Sequence, residues 1–284
     1  MARMPNPGWR SLLFVGADQP ERIAKIATRG ADAVILDLED AVPAHAKAGA
    51  RAALPDAIAT LTAQGQQVVV RINAGWRDAM ADLEAALRPG VVAIMVPGCE
   101  QVDRLSVLWE MIAELAAERQ IPQLPGLVGL VESAPGLVNL PALAAFPQMI
   151  GLALGSEDLA LGMGVSPTTD LLDLPSRQIA LAAHAHDLMA LAVPISIAAY
   201  ADGDAYRAAA EAGRRWGVNG AICVHPAQVM IANETFRPSE RDLDEARAIL
   251  QAWEGRGDSG VVSWRGRMID LPVVERARRL LADS

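Results

Sequence analysis

The sequence predicts an α/β protein, a (β/α)8 TIM barrel with a C-terminal helical lid extension, on three observations. Eight short apolar runs alternate with longer helical patterns, polar residues gather after the runs, and the alternation stops after Phe236. The runs are Ser11–Val15, Ala33–Leu38, Gln67–Ile72, Val92–Val96, Gly126–Val131, Met149–Leu154, Val193–Ile197 and Ala221–Val224. They are apolar almost throughout, as parallel strands covered on both faces require. Helical stretches lie between them at Pro20–Arg29, Ala46–Ala63, Asp78–Leu87, Gln101–Arg119, Leu174–Leu188 and Ala205–Trp216. Eight such alternations close into a barrel, with an open doubly wound sheet as the competing arrangement. A chain of 284 residues, 52% hydrophobic, is long enough for one core of this kind.

The barrel is expected over residues 1–236 and a separate extension over 237–284. In the extension Pro238-Ser239-Glu240 opens a helix over Arg241–Trp253, and a Gly- and Asp-containing break spans 255–260. A strand-like Val261–Trp264, a turn at Arg265-Gly266 and a last helix from Pro272 follow. Such an extension is expected to cover the barrel mouth or to contribute to a neighbouring subunit.

Composition narrows the function. A net charge of −9 argues against a surface for nucleic acid, which calls for a basic excess. Two cysteines without metal-type spacing, Cys99 and Cys223, read as a reduced, cytoplasmic protein. Met1 to Trp9 has no apolar core for a leader, and no apolar run reaches the length of a membrane span. Of 25 basic residues only Lys25 and Lys47 are lysines, and neither falls in a predicted strand. A Schiff-base aldolase needs a catalytic lysine, so a metal-assisted route to an enolate fits better.

In a parallel barrel the active site lies where the strands end. The second run ends in Asp37-Leu38-Glu39-Asp40, the third in Arg71-Ile72-Asn73, the fifth in Glu132-Ser133, the sixth in Gly155-Ser156-Glu157-Asp158 and the eighth in His225-Pro226. Glu132 and Asp158 are the metal-ligand candidates, because Mg2+ takes a few carboxylates and keeps positions for water and substrate. The bland alternatives are a helix cap at Asp158 and an ion pair between Glu132 and Arg71. Arg71 offers a planar fork to a carboxylate, and it can equally pair with Asp37 or Glu39. Asp37 and Glu39 share one strand face, so Glu39 is expected beside Arg71 rather than on the metal. Gly155 and Ser156 precede a helix start, where backbone N–H groups suit an anionic carboxylate. His225 is either a substrate contact or a structural hydrogen-bonder.

At these residues the chain resembles the citrate lyase beta-subunit-like family of the HpcH/HpaI aldolase superfamily, which includes malyl-CoA and citramalyl-CoA lyases. The likeness is carried by Arg10–Val15, Ile35–Val42, Val70–Asn73, Val131–Ala134, Gly155–Ala160 and His225–Val229, which span nearly the whole chain in order. It implies a Mg2+-dependent carbon–carbon lyase that cleaves a short 3-hydroxyacyl-CoA to an acyl-CoA and a 2-oxo acid. Glu132 and Asp158 would hold Mg2+, Arg71 the substrate's carboxylate or keto group, and Asp37, Glu39 and Asp40 would orient Arg71. CoA contacts are implied near Phe14 and Lys25 and near Val224 and His225. Asp270, in Gly266–Pro272, resembles the catalytic aspartate of a lid that enters a neighbouring subunit's site, which implies a homotrimer or hexamer. Asp270 can also cap the helix that begins at Pro272.

The chain departs from the family pattern at three points. It has Val15-Gly16-Ala17 for Val-Pro-Gly, Gly98 for a lysine after Pro97, and Glu21 where some relatives carry a CoA-contacting lysine. A CoA-independent metal aldolase of pyruvate or glyoxylate adducts fits the missing lysine. A non-catalytic acyl-CoA-binding subunit is the reading from another class. The pair Glu132/Asp158 opposes it, since binding alone needs no metal.

Overall fold

A computed structural model describes residues 4–255 and 260–282. Most of the break expected at 255–260, and the first three residues of the N-terminal segment, lie outside the described residues. The chain forms two compact units, 1–236 and 237–284.

The first unit is an α/β barrel of eight parallel strands. They are β1 (Ser11–Gly16), β2 (Ala33–Asp37), β3 (Gln67–Arg71), β4 (Val91–Val96), β5 (Gly126–Val131), β6 (Met149–Leu154), β7 (Met189–Leu191) and β8 (Ala221–Cys223). Sequential neighbours pair from β1 to β7, and β8 pairs with β1. The seam between β7 and β8 has no regular ladder. It is bridged by the Ala190 carbonyl, which accepts the N–H groups of Asn219 and Gly220, and by the Ala190 N–H, which donates to Asn219 Oδ1 at 2.8 Å. Gly220 is needed there, because a Cβ would lie 2.5 Å from the Trp9 carbonyl oxygen and 2.7 Å from the Leu191 side chain.

The seventh strand corrects the sequence reading. Val193–Ile197 looks like a strand because it is β-branched, but Pro194 has no N–H to give a ladder. The strand is Met189–Leu191, which pairs with Gly151–Ala153, and 193–197 is loop. Tertiary pairing outweighs intrinsic β propensity here.

Around the strands lie α1 (Pro20–Ile26), α2 (Lys47–Ala63), α3 (Trp76–Ala86), α4 (Val102–Glu118), α5 (Ala134–Val138), α6 (Leu140–Ala145), α7 (Ser156–Met163), α8 (Thr169–His184), α9 (Gly203–Arg215) and α10 (Pro226–Phe236). Their apolar stripes have helical spacing, as in Ala50, Leu54, Ile58 and Leu61 of α2 and Leu105, Leu108, Ile112 and Leu115 of α4. These stripes pack on the outward strand residues such as Val34, Leu36, Val68, Val70, Ile94 and Val96. Each fully buried Leu or Ile contributes about 1.5–3 kcal/mol. A second core fills the barrel interior with the alternate residues, among them Ile35, Val69, Met95, Leu130 and Leu191.

In the second unit Ser239 caps α11 (Glu240–Glu254) in a capping box with Asp242. The strands β9 (Val262–Trp264) and β10 (Arg267–Ile269) form a hairpin, and α12 (Leu271–Ala282) follows. The two-residue turn has φ +49° at Arg265 and +74° at Gly266, the conformation that matches hairpin twist. Ile249, Trp253, Ile269 and Val274 build this unit's own core. No helix among the described residues is long and apolar enough to cross a membrane.

Candidate active site

Strand register and alternation bring the polar residues together. Asp37 pairs with Gly16 on one side and with Arg71 on the other, so the ends of β1, β2 and β3 are level. Ile35, Val69 and Leu130 belong to the interior core. Asp37, Arg71 and Glu132 each follow one of them by two residues, which aims them at the barrel axis.

Arg71 is 9% exposed and Asp37 1%. The guanidinium forks onto Asp37, with Nε to Oδ1 at 2.7 Å and Nη2 to Oδ2 at 2.6 Å. Its Nη1 reaches Glu39 at 2.9 Å and Asp40 at 3.4 Å, and its face lies 4.8 Å from the Phe14 ring centre. Asp37 also accepts the backbone N–H groups of Glu39 and Ala41, at 2.9 and 3.1 Å. That turn folds Glu39 and Asp40 back onto Arg71. Burial opposes the charge on Arg71, but the bonds it donates to Asp37 and the charges of Asp37, Glu39 and Asp40 outweigh it and raise its pKa. Glu39 shares this one cation with two other acids. Burial, chiefly, and the charges of Asp40, Glu132 and Asp37 push it up to about 8 against the pull of Arg71.

Glu132 Oε1 accepts the Gly98 N–H at 2.6 Å. Gly98 has φ +53°, a left-handed conformation that glycine adopts without strain. Gly155 is also needed beside Glu132, since a Cβ there would lie 2.5 Å from Glu132 Cβ and 2.7 Å from Oε2. Burial and the Asp158 charge push Glu132 up to about 7, against the Gly98 N–H bond and Arg71.

A cavity of about 430 Å3 opens here. Of the residues singled out in the sequence, Phe14, Asp37, Asp40, Arg71, Glu132, Gly155, Ser156, Asp158 and Val224 line it. Glu39 pairs with Arg71 without lining the cavity. Lys25 is exposed on α1 and His225 is exposed at the start of α10, and neither lines the cavity. His225 Nδ1 accepts the Ala227 N–H at 3.2 Å, the structural bonding role. Asp270, in the second unit, accepts the Val273 N–H at 3.3 Å and caps α12. Gln19, Arg22, Leu130, Leu154, Ile197 and Ile222 also line it, without a site role read from the strand ends, and so does Glu157, which follows the sixth run in the sequence. Leu130 was legible as the inward residue two before Glu132. Arg22 carried a weaker signal as a cation in the first turn after β1.

The donor set suits a hard divalent cation. Five carboxylates and two guanidinium groups line the cavity, and Arg71 is already committed to Asp37. Glu132 resists ionisation in part because Asp158 is close, and a cation between them relieves that cost. Among the described residues no three His, Cys, Asp or Glu form a closed metal cage. Mg2+ is commonly held by one or two carboxylates with water and substrate filling the rest.

A barrel that gathers a buried arginine fork and carboxylates at the C-terminal ends of its strands has the architecture of a (β/α)8 enzyme site. The chain belongs to the HpcH/HpaI aldolase/citrate lyase family, which it matches over residues 10–226. It is 36% identical to a citrate lyase subunit beta-like protein of Deinococcus radiodurans, over 96% of each chain. A (3S)-malyl-CoA thioesterase of Cereibacter sphaeroides is 33% identical over 100% of this chain and 97% of that one. The structure of CitE from Mycobacterium tuberculosis in complex with magnesium, acetoacetate and coenzyme A superposes with a TM-score of 0.75 at 31% identity, covering 99% of this chain and 98% of that chain.

Proposed function

We propose that this protein is a Mg2+-dependent carbon–carbon lyase that splits a short 3-hydroxyacyl-CoA, of the malyl-CoA or citramalyl-CoA type, into an acyl-CoA and a 2-oxo acid. The observation that carries this reading is the meeting of Arg71 with Glu132 and Asp158 in one cavity. The similarity to CitE, solved with magnesium and coenzyme A, supports the same metal and thioester here.

In the reaction the bond between C2 and the hydroxyl-bearing C3 breaks. Its electron pair passes to the thioester enolate, the hydroxyl loses its proton, and C3 becomes the carbonyl of the oxo acid. The enolate then takes up a proton to give the acyl-CoA. Glu132 and Asp158 hold Mg2+, which when bound supplies Lewis-acid polarisation and a template for the oxo acid. Arg71, fixed by Asp37, places positive charge where oxygen charge develops. Phe14 and Val224 give the thioester arm an apolar exit, with Lys25 and His225 further along. Asp270 serves as general acid/base from a neighbouring subunit of a trimer or hexamer. Cys99 and Cys223 are both free and buried, which supports a reducing, cytoplasmic setting.

A second reading has support of its own. The likeness to a (3S)-malyl-CoA thioesterase extends over the whole chain, so the same site would hydrolyse the thioester instead. Product analysis of malyl-CoA and citramalyl-CoA incubations, with and without Mg2+ and beside Glu132→Ala, separates the two. Metal-dependent release of a 2-oxo acid with acyl-CoA, lost in the variant, supports the lyase. Free CoA with an intact hydroxy diacid supports the hydrolase. No turnover of either thioester overturns both.

A further inference from the structure

The segment that connects β7 to α9 is tied to the rim at both ends. Ser196 Oγ donates to Glu157 Oε1 at 2.7 Å, Ser156 Oγ donates to the same oxygen at 3.2 Å, and the Ile197 N–H donates to Ser156 Oγ at 3.1 Å. Ser156 is 4% exposed and its partners Glu157, Ser196 and Ile197 are half-buried. At the other end the Tyr200 ring stacks on His225, with centroids 5.3 Å apart and planes 26° from parallel. The segment thus spans from the end of β6 to the end of β8 and presents Ile197 to the cavity. Its anchor, Glu157, directly precedes Asp158 in the chain.

The cavity is chemically divided. Arg71, Glu132 and Asp158 supply charge for a carboxylate and its neighbouring oxygen, and those two groups fix two of the four substituents on the hydroxyl-bearing carbon. The third is the bond to be broken. Asp37, Asp40, Glu157 and Arg22 are charged lining as well, so the fourth, hydrogen or alkyl, has only the apolar part of the wall, where Ile197, Leu154 and Ile222 lie and where Ile197 is held beside Ser156. An alkyl group gains from such a wall, and a hydrogen leaves it unfilled.

We infer that Ile197 is a specificity-determining residue, the apolar wall that receives the alkyl branch of the substrate, so that the enzyme prefers a methyl-branched 3-hydroxyacyl-CoA to the unbranched one. The inference rests on the lyase reading. It identifies the released acid as a 2-oxo acid with a methyl group next to the carbonyl.

The test is the ratio of kcat/KM for citramalyl-CoA to that for malyl-CoA with Mg2+, in the full chain and in Ile197→Thr and Ile197→Val. One methyl in an apolar pocket is worth about tenfold or more in selectivity. The wild type is expected to favour citramalyl-CoA by about that factor. The ratio should fall about tenfold in Ile197→Thr, where a hydroxyl faces the branch, and about threefold in Ile197→Val, which keeps the wall apolar and safeguards the test against misfolding. A wild type that favours malyl-CoA, or a ratio unmoved in both variants, overturns the inference and leaves the lyase reading intact. Cleavage of neither thioester by the wild type overturns the two together.

Discussion

Gly155 and Glu132 show how closely one side chain depends on the absence of another. Gly155 has φ −91°, which any residue adopts, so its role is spatial. Gly155→Ala would push a methyl group into Glu132 and swing the carboxylate away from Asp158. Mg2+ affinity by calorimetric titration should fall about tenfold, the scale for disturbed metal surroundings, with the fold retained. Unchanged affinity would remove Glu132 from the metal. Glu39 gives a pH prediction. Unfolded, it releases its proton near 4.5; folded, it keeps it to about 8. The folded state therefore binds the extra proton across that window, and stability falls as pH rises through it. Glu39→Gln removes this contribution, so urea midpoints between pH 6 and 9 should vary less than in the wild type. The Arg71–Asp37 fork was legible in the sequence, because both residues end strands that neighbour one another. Asp40 was expected beside the same cation, but the way the turn wraps round Asp37 to bring it there was not legible, because it depends on the Ala41 N–H bonding Asp37.

At the level of elements, a polar clamp outside the barrel holds the strand ends that carry the fork. Asp82 of α3 is fully buried and accepts Arg51 Nε at 2.6 Å and both the backbone and side-chain N–H of Asn73 at 2.7 Å. Asn73 Nδ2 also donates to the Leu38 carbonyl at 2.8 Å, and Lys47 bonds Asn73 Oδ1. This ties α2 and α3 to the ends of β2 and β3. Asp82→Ala leaves Arg51 and Asn73 without their shared acceptor and should cost about 3–5 kcal/mol in chemical denaturation. A loss within a few tenths would show that solvent replaces the carboxylate. The strands buried on both faces were readable from composition to within a residue or so at their ends. Other elements were not, and two of them show why. The seventh strand is three residues of Met, Ala and Leu without β-branching, and only pairing with β6 defines it. Helix α8 begins at Thr169 and carries Pro175 inside, whereas a proline there reads as a first-turn residue.

For the whole molecule, the two units each have a core of their own, and the residues proposed for catalysis are divided between them. If Asp270 acts in a neighbouring subunit, Arg71→Ala and Asp270→Ala are each inactive alone. Mixed in one oligomer, they should recover about a quarter of wild-type turnover on random assembly of paired sites. Mixed oligomers as dead as the single variants would place both residues in one subunit's site. The division into barrel and extension could be read where the β–α alternation stops; the trans arrangement rests on the family resemblance.

The seam has a consequence for how the chain acquires its shape. Because Ser11 pairs with Ala221, the first strand waits for the last, across nearly the whole sequence of the barrel. A nascent chain emerging from the ribosome therefore holds β1 with one bare edge while seven further strands are made. Until β8 arrives, that edge is open to pairing with other chains, and closure of the ring is a late, slow and aggregation-exposed step.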